Sequence, residues 1–268
     1  MYENNWEGLL QKLTYQLTDE SVKELSIIPF ASPIISFGDY KSSIVATMGL
    51  NPSDKEFLDA LGGELSGIAR RFHTLSSLGL NHWGDASSEH LTLIQNSCES
   101  YFSNNPYNIW FRDMENIISG TGFSLYKNKA CHLDLIPYAT YQKWGKLGKE
   151  KKNSLLGLSK VFLENVLVGS SIKLIVLNGQ SVVDGFQKLA NIQYETKSMS
   201  DWTLYQKNNK YVNGVSFRSK INNCNFPTLN REILVLGFNH NLQSSFGVSS
   251  QVKASIKNWI TESFKESK

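Results

Sequence analysis

Three apolar runs end in polar stretches whose side chains can do chemistry: Gly49-Leu50-Asn51-Pro52-Ser53, His132-Leu133-Asp134-Leu135-Ile136-Pro137 and Asn239-His240-Asn241-Leu242. An amide such as Asn51 can hold a water through its carbonyl oxygen. It is a poor general base, so it positions the water without deprotonating it. An ionised carboxylate such as Asp134 only accepts hydrogen bonds, and it donates one only when protonated; an imidazole such as His240 can do either. Taken singly, each has an ordinary structural use: an Asx turn for Asn51, a loop-bracing carboxylate for Asp134, a satisfied loop histidine for His240. Brought to one edge of one sheet, the three make a candidate active site.

The elements that must position them are four short runs without polar alternation: Ile44 to Leu50, Ala130 to Leu135, Ile172 to Leu177 and Ile233 to Gly237. They read as buried parallel strands. Between and after them, Ser88 to Phe102, Phe111 to Ile118, Leu155 to Leu167, Ser181 to Leu189 and Val248 to Phe264 have helical spacing. Strands alternating with helices predict an α/β fold, a three-layer α/β/α sandwich around a central four-stranded parallel sheet, with residues 1–268 as one domain. In such a sheet the ligand site lies beyond the carboxyl ends of the strands, where the three stretches fall. The third run ends Leu177-Asn178-Gly179-Gln180, which reads as the entry to a helix. Thr203 to Gln206 and Tyr211 to Arg218, with the turn signals Asn208-Asn209 and Asn213-Gly214, predict a small antiparallel excursion before the last strand. Leu58 to Asn105 reads as a long, mainly helical insertion.

Composition bounds the chemistry. With 268 residues, 41% of them hydrophobic and 12% aromatic, the chain can bury a sizeable core without metals or disulfides. Three scattered cysteines, Cys98, Cys131 and Cys224, form no CxxC pair, which argues against zinc, iron–sulfur or disulfide frameworks and for a reducing cytoplasm. No cofactor is expected. Met1 to Leu10 lacks the apolar stretch of an export signal, and no run has the length of a membrane span. Gly-rich phosphate loops, His-Glu-x-x-His and nucleophile elbows are all missing. The net charge of +3 permits an acidic partner such as DNA without demanding one. Its distribution is more pointed: Lys143, Lys146, Lys149, Lys151 and Lys152 cluster around Trp144, and Arg70, Arg71 and His73 form a second basic group. A monomer is expected.

Gly49-Leu50-Asn51-Pro52 resembles the water-activating motif of the uracil-DNA glycosylase superfamily in its Gly-x-Asn-Pro form. His132 to Pro137 is similar to the strand carrying that family's base-reading residue, and Asn239 to Ser245 resembles its His-Pro-Ser loop, although Asn241 stands where the family has proline. The resemblance implies a uracil-DNA glycosylase-like fold without an iron–sulfur cluster, base flipping, and hydrolysis of an N-glycosidic bond to leave an abasic site. Asn51 would place the water, and His240 would stabilise the departing base or hold a phosphate. Leu242 would be the wedge that fills the vacated stack, with Phe246 in reserve.

Asp134 stands where uracil-removing members carry asparagine, and an ionised carboxylate opposite uracil would repel its O4 oxygen. The exocyclic amine of cytosine offers it a donor instead. Cytosine N3 is another acceptor, so one shared proton is required, on a carboxyl group or on the base. Ser53 stands where classical members place a tyrosine that blocks the C5 face, so a 5-substituted base fits. Because excising ordinary cytosine would destroy the host's own genome, the expectation is antiviral removal of a modified cytosine, such as glucosylated hydroxymethylcytosine, from phage DNA. Tyr107, Trp110 and Phe111 are candidates to stack on the flipped base, and Lys143, Trp144 and Lys146 to contact DNA. Two other readings stay open: a repair glycosylase for uracil or mismatches, and a non-catalytic nucleic-acid-binding module.

Overall fold

The computed structural model describes residues 6–105, 109–127, 129–205, 211–243 and 247–267. The four apolar runs form strands β1 (Val45–Gly49), β2 (Ala130–Asp134), β3 (Leu174–Asn178) and, last in the chain, β6 (Ile233–Phe238). Every residue in them is buried. Successive side chains of a strand point to opposite faces, so both faces of this part of the sheet are covered, which is why β1, β3 and β6 show no polar alternation; β2 does alternate, with His132 and Asp134 on one face, and both are buried. The strands pair in parallel in the order β2, β1, β3, β6, the fold class being α/β as expected.

The expected strand count is corrected. The sheet has six strands, because the antiparallel excursion joins it as β4 (Glu195–Tyr205) and β5 (Tyr211–Ile221), with β5 alongside β6. The excursion is longer than the sequence suggested, starting already at Glu195 and ending at Ile221, and Asn213-Gly214 is no turn. Gly214 sits within β5, where a Cβ would lie 2.1 Å from the Cβ of Trp202. Glycine is there to let β5 pass the fully buried Trp202, not to reverse the chain. Asn208-Asn209 lies outside the described residues.

Helices α1 (Trp6–Gln16), α3 (Ser88–Glu99), α5 (Ile109–Ile118), α6 (Lys149–Val168), α7 (Gln180–Ala190) and α8 (Ser250–Glu266) contribute Leu10, Ile94, Ile117, Leu163, Phe186 and Ile260 to one contiguous core. Short helices α2 (Glu20–Lys23) and α4 (Tyr101–Asn104) complete the set among the described residues. The insertion expected to be mainly helical is half irregular. Helix begins only at Ser88, where Ser87 and His90 form a capping box, and the chain before it makes isolated 3-10 turns. Gly62, Gly67 and Gly79 adopt positive φ there, which breaks any helical run. Among the described residues no helix is long and apolar enough to cross a membrane.

Candidate active site

A cleft of about 840 Å³ opens at the carboxyl ends of β1, β2, β3 and β6. Its position follows from topology: neighbouring parallel strands end together, and the chain leaving each one turns over the same sheet edge. The β1 and β2 exits stay paired beyond the strands, since the amides of Leu135 and Ile136 donate to the carbonyls of Gly49 and Leu50. Asn51 is thereby held beside the end of β2.

The Asn51 side chain is fixed by its amide nitrogen. Nδ2 donates to the carbonyl of Pro52 at 3.0 Å, to Thr140 Oγ1 at 3.0 Å and to the Tyr138 carbonyl at 3.5 Å. Carbonyls only accept, and the Thr140 hydroxyl gives its own proton to the Gln142 carbonyl, so the amide can point only one way. The carbonyl oxygen Oδ1 takes none of these bonds. It is the atom left to hold a water in the cleft that Asn51 lines.

Asp134 lines the same cleft and is only 6% exposed. His132, two residues earlier on β2 and so on the same face, brings Nε2 to 3.5 Å from Asp134 Oδ1 and Nδ1 to 2.8 Å from Thr47 Oγ1. Registry explains the constellation: Thr47 lies opposite His132 and Gly49 opposite Asp134. A Cβ on Gly49 would lie 2.4 Å from Asp134 Oδ1 and 3.0 Å from His132 Nε2, so only glycine admits this pair. The motif glycine thus serves the neighbouring strand.

A second buried carboxylate, Glu56, reaches the cleft from the 3-10 turn Asp54–Glu56. Ser53 caps that turn, its Oγ accepting from the Lys55 amide at 3.2 Å and donating to Asp54 Oδ1 at 3.0 Å, and its short side chain lines the cleft. Glu56 Oε2 accepts from the Tyr101 hydroxyl at 3.0 Å and from Arg71 Nη1 at 3.3 Å. Burial pushes the Glu56 carboxyl above the usual range; Arg71 and Tyr101 oppose this, and the charge of Asp134 adds to it.

Aromatic rings form one wall. Phe111 is buried, packs against Phe37 at 5.2 Å and His132 at 5.1 Å, and lines the cleft with Phe37. Trp110, 40% exposed, lines the cleft and lies edge-on to His132 at 5.1 Å. Tyr107 lies outside the described residues. Lys143 and Trp144 also reach the lining, with Lys152 Nζ 5.8 Å from the Trp144 ring centre, while Lys146 is exposed and outside the lining.

The β6 exit departs from expectation. His240 is 4% exposed and does not line the cleft; its Nε2 donates to the Trp202 carbonyl at 2.6 Å. Burial lowers its pKa, opposed by that bond. Leu242, expected as an exposed wedge, is 3% exposed and belongs to the core, its amide donating to Asn178 Oδ1 at 3.2 Å. The reserve candidate Phe246 lies outside the described residues. Asn239 does line the cleft, but its side chain bonds the Val215 amide and the Asn213 carbonyl of β5. The hairpin β4–β5 therefore braces this loop through Asn239 and His240, while Asn241 and Gln243 line the cleft. Beside it, Gly179, at φ +96°, lets the loop approach within 3.3 Å of where a Cβ would be. The first turn of α7 (Gln180, Ser181, Val182) consequently faces the cleft.

Sequence reasoning found Asn51, Asp134, Ser53 and Phe111, all of which the structure brings to the cleft. It passed over Glu56, Phe37 and the role of His132. Strand alternation placed His132 on the face of Asp134 and was a usable signal; nothing local marked Glu56. Compared with known proteins, the chain matches no family model and is significantly similar to no curated protein.

Proposed function

We propose that the protein is a monofunctional DNA glycosylase with a uracil-DNA glycosylase-like arrangement, hydrolysing the bond between deoxyribose and a 5-substituted cytosine to leave an abasic site. The observation that carries this reading is the Asn51 amide, its nitrogen tied by three acceptors and its oxygen left out of those bonds, in the cleft that the buried Asp134 also lines. Departure of a base builds positive charge on the sugar and negative charge on the ring, so a held water and an anion-tolerant opposite wall are what the reaction needs. Asn51 Oδ1 supplies the first. The N-terminal turn of α7, the positive end of its dipole, supplies a place for a phosphate or for the ring's developing charge, a task for which His240 is turned away.

Asp134 reads the exocyclic amine of a cytosine-type base, held by His132 and given room by Gly49. Ser53 at the rim leaves space for a substituent. Phe111 and Trp110 provide ring faces and edges for the flipped base, and Lys143 and Trp144 suit the strand beside it. Selectivity for a substituent absent from host DNA fits a role against phage. The test is a panel of oligonucleotides carrying uracil, cytosine, hydroxymethylcytosine or its glucosylated form, incubated with the protein and then treated to cleave abasic sites. Cleavage at the modified cytosines supports the reading. Cleavage at uracil alone would make it a repair enzyme, and DNA binding without cleavage a non-catalytic module.

A further inference from the structure

Reading a cytosine-type base with an ionised Asp134 leaves one requirement unmet. The ring must take up a proton as it leaves, and Asp134 in its accepting form cannot give one. We propose that Glu56 is the catalytic acid of this site, donating a proton from its cleft-facing oxygen to the departing ring. The inference rests on the glycosylase reading above.

Three features of Glu56 carry it. The side chain is buried yet lines the cleft, so its carboxyl meets whatever base enters. Its two hydrogen bonds fall on one oxygen, Oε2, which leaves Oε1 for a ligand. It shares the cleft with Asp134, and the charge of one buried carboxylate disfavours ionisation of the other. The two carboxyls differ in what faces them: Asp134 Oδ1 has His132 Nε2 at 3.5 Å, and Glu56 keeps Oε1 outside its two hydrogen bonds. The groups facing Glu56 are Arg71 and Tyr101, which favour its ionised form, and Asp134, which favours its neutral form.

The step balances. The C1′–N1 bond breaks and its electron pair goes into the ring; the Glu56 proton passes to ring N3, so cytosine leaves as a neutral N3–H tautomer. Water held by Asn51 bonds to C1′ through oxygen, and its released proton returns to the Glu56 carboxylate. Glu56 ends as it began.

The test is Glu56→Gln, which keeps an acceptor for Tyr101 and Arg71 but carries no acidic proton. Single-turnover excision of the modified cytosine is expected to fall by about a hundredfold or more at neutral pH. In the wild type, excision falls as pH rises through the Glu56 pKa; in the variant this alkaline limb disappears. Arg71→Gln provides a second measurement independent of absolute rate. Removing the cation moves the limb to higher pH by about one unit. A Gln variant within about threefold of wild type, or one that is slower with the same limb, overturns the proposal while the glycosylase reading stands. A wild type that cleaves no oligonucleotide of the panel overturns both.

Discussion

The two ends of the cleft hold the same kinds of residue and use them in opposite ways. At the β1–β2 end, Asn51, Asp134 and Glu56 each keep an oxygen facing the cleft, and the remaining bonds of Asn51 and Glu56 only fix their direction. At the β6 end, the Asn239 and His240 side chains are bonded into the hairpin and Leu242 is packed into the core. What separates the ends is what lies alongside. β2 is followed by a loop that pairs with β1, whereas β6 borders β5, whose backbone presents donors and acceptors to any polar side chain leaving the strand. A strand end next to a hairpin is drawn into bracing it, and a strand end next to another exit loop stays available for a ligand.

Substitutions at the two strand ends test this difference, and Asn51→Ala is expected to act most strongly. Losing the positioned water should slow excision about a hundredfold, with DNA binding retained. An abasic-site assay alongside a binding titration checks it, and an unimpaired rate would move the chemistry elsewhere. Asp134→Asn should redirect selectivity by about tenfold or more, from modified cytosine towards uracil, because an amide both donates and accepts. Competition between the two substrates in one reaction measures this; unchanged preference would remove Asp134 as the base reader. Gly49→Ala, whose Cβ collides with Asp134 and His132, should cost about 1–3 kcal/mol of stability and lower activity together.

On the other side, His240→Ala should leave excision unchanged where the protein is folded and lower stability by about 1–3 kcal/mol, since the Trp202 carbonyl loses its donor. Paired denaturation and activity curves separate the two ends; an active-site defect at unchanged stability would erase the contrast. The smallest effect concerns pH. Burial holds the folded His240 below its unfolded value, so its share of stability is present above the ordinary histidine range and lost as pH falls through the folded value. His240→Gln should shallow that acid loss, with the lowered His73 keeping part of it.

Much of this was legible along the chain. The four buried strands follow from short, mainly apolar runs, the cleft's place from their alternation with helices, and Asn51 and Asp134 from standing just after or at the end of two such runs. These are local properties, set by which residues must leave water and which cannot. What the chain could not reveal depends on contacts between distant segments. Gly214 looks like a turn until Trp202 lies against it, and His240 and Leu242 look functional until the hairpin and Asn178 claim them. Glu56 resembles any surface acid until Tyr101 and Arg71, 45 and 15 residues away, enclose it. Sequence decided which groups stand at the strand ends; tertiary structure decided which remain unspent, because a polar group beside another segment's free donor or acceptor bonds to it before any ligand arrives.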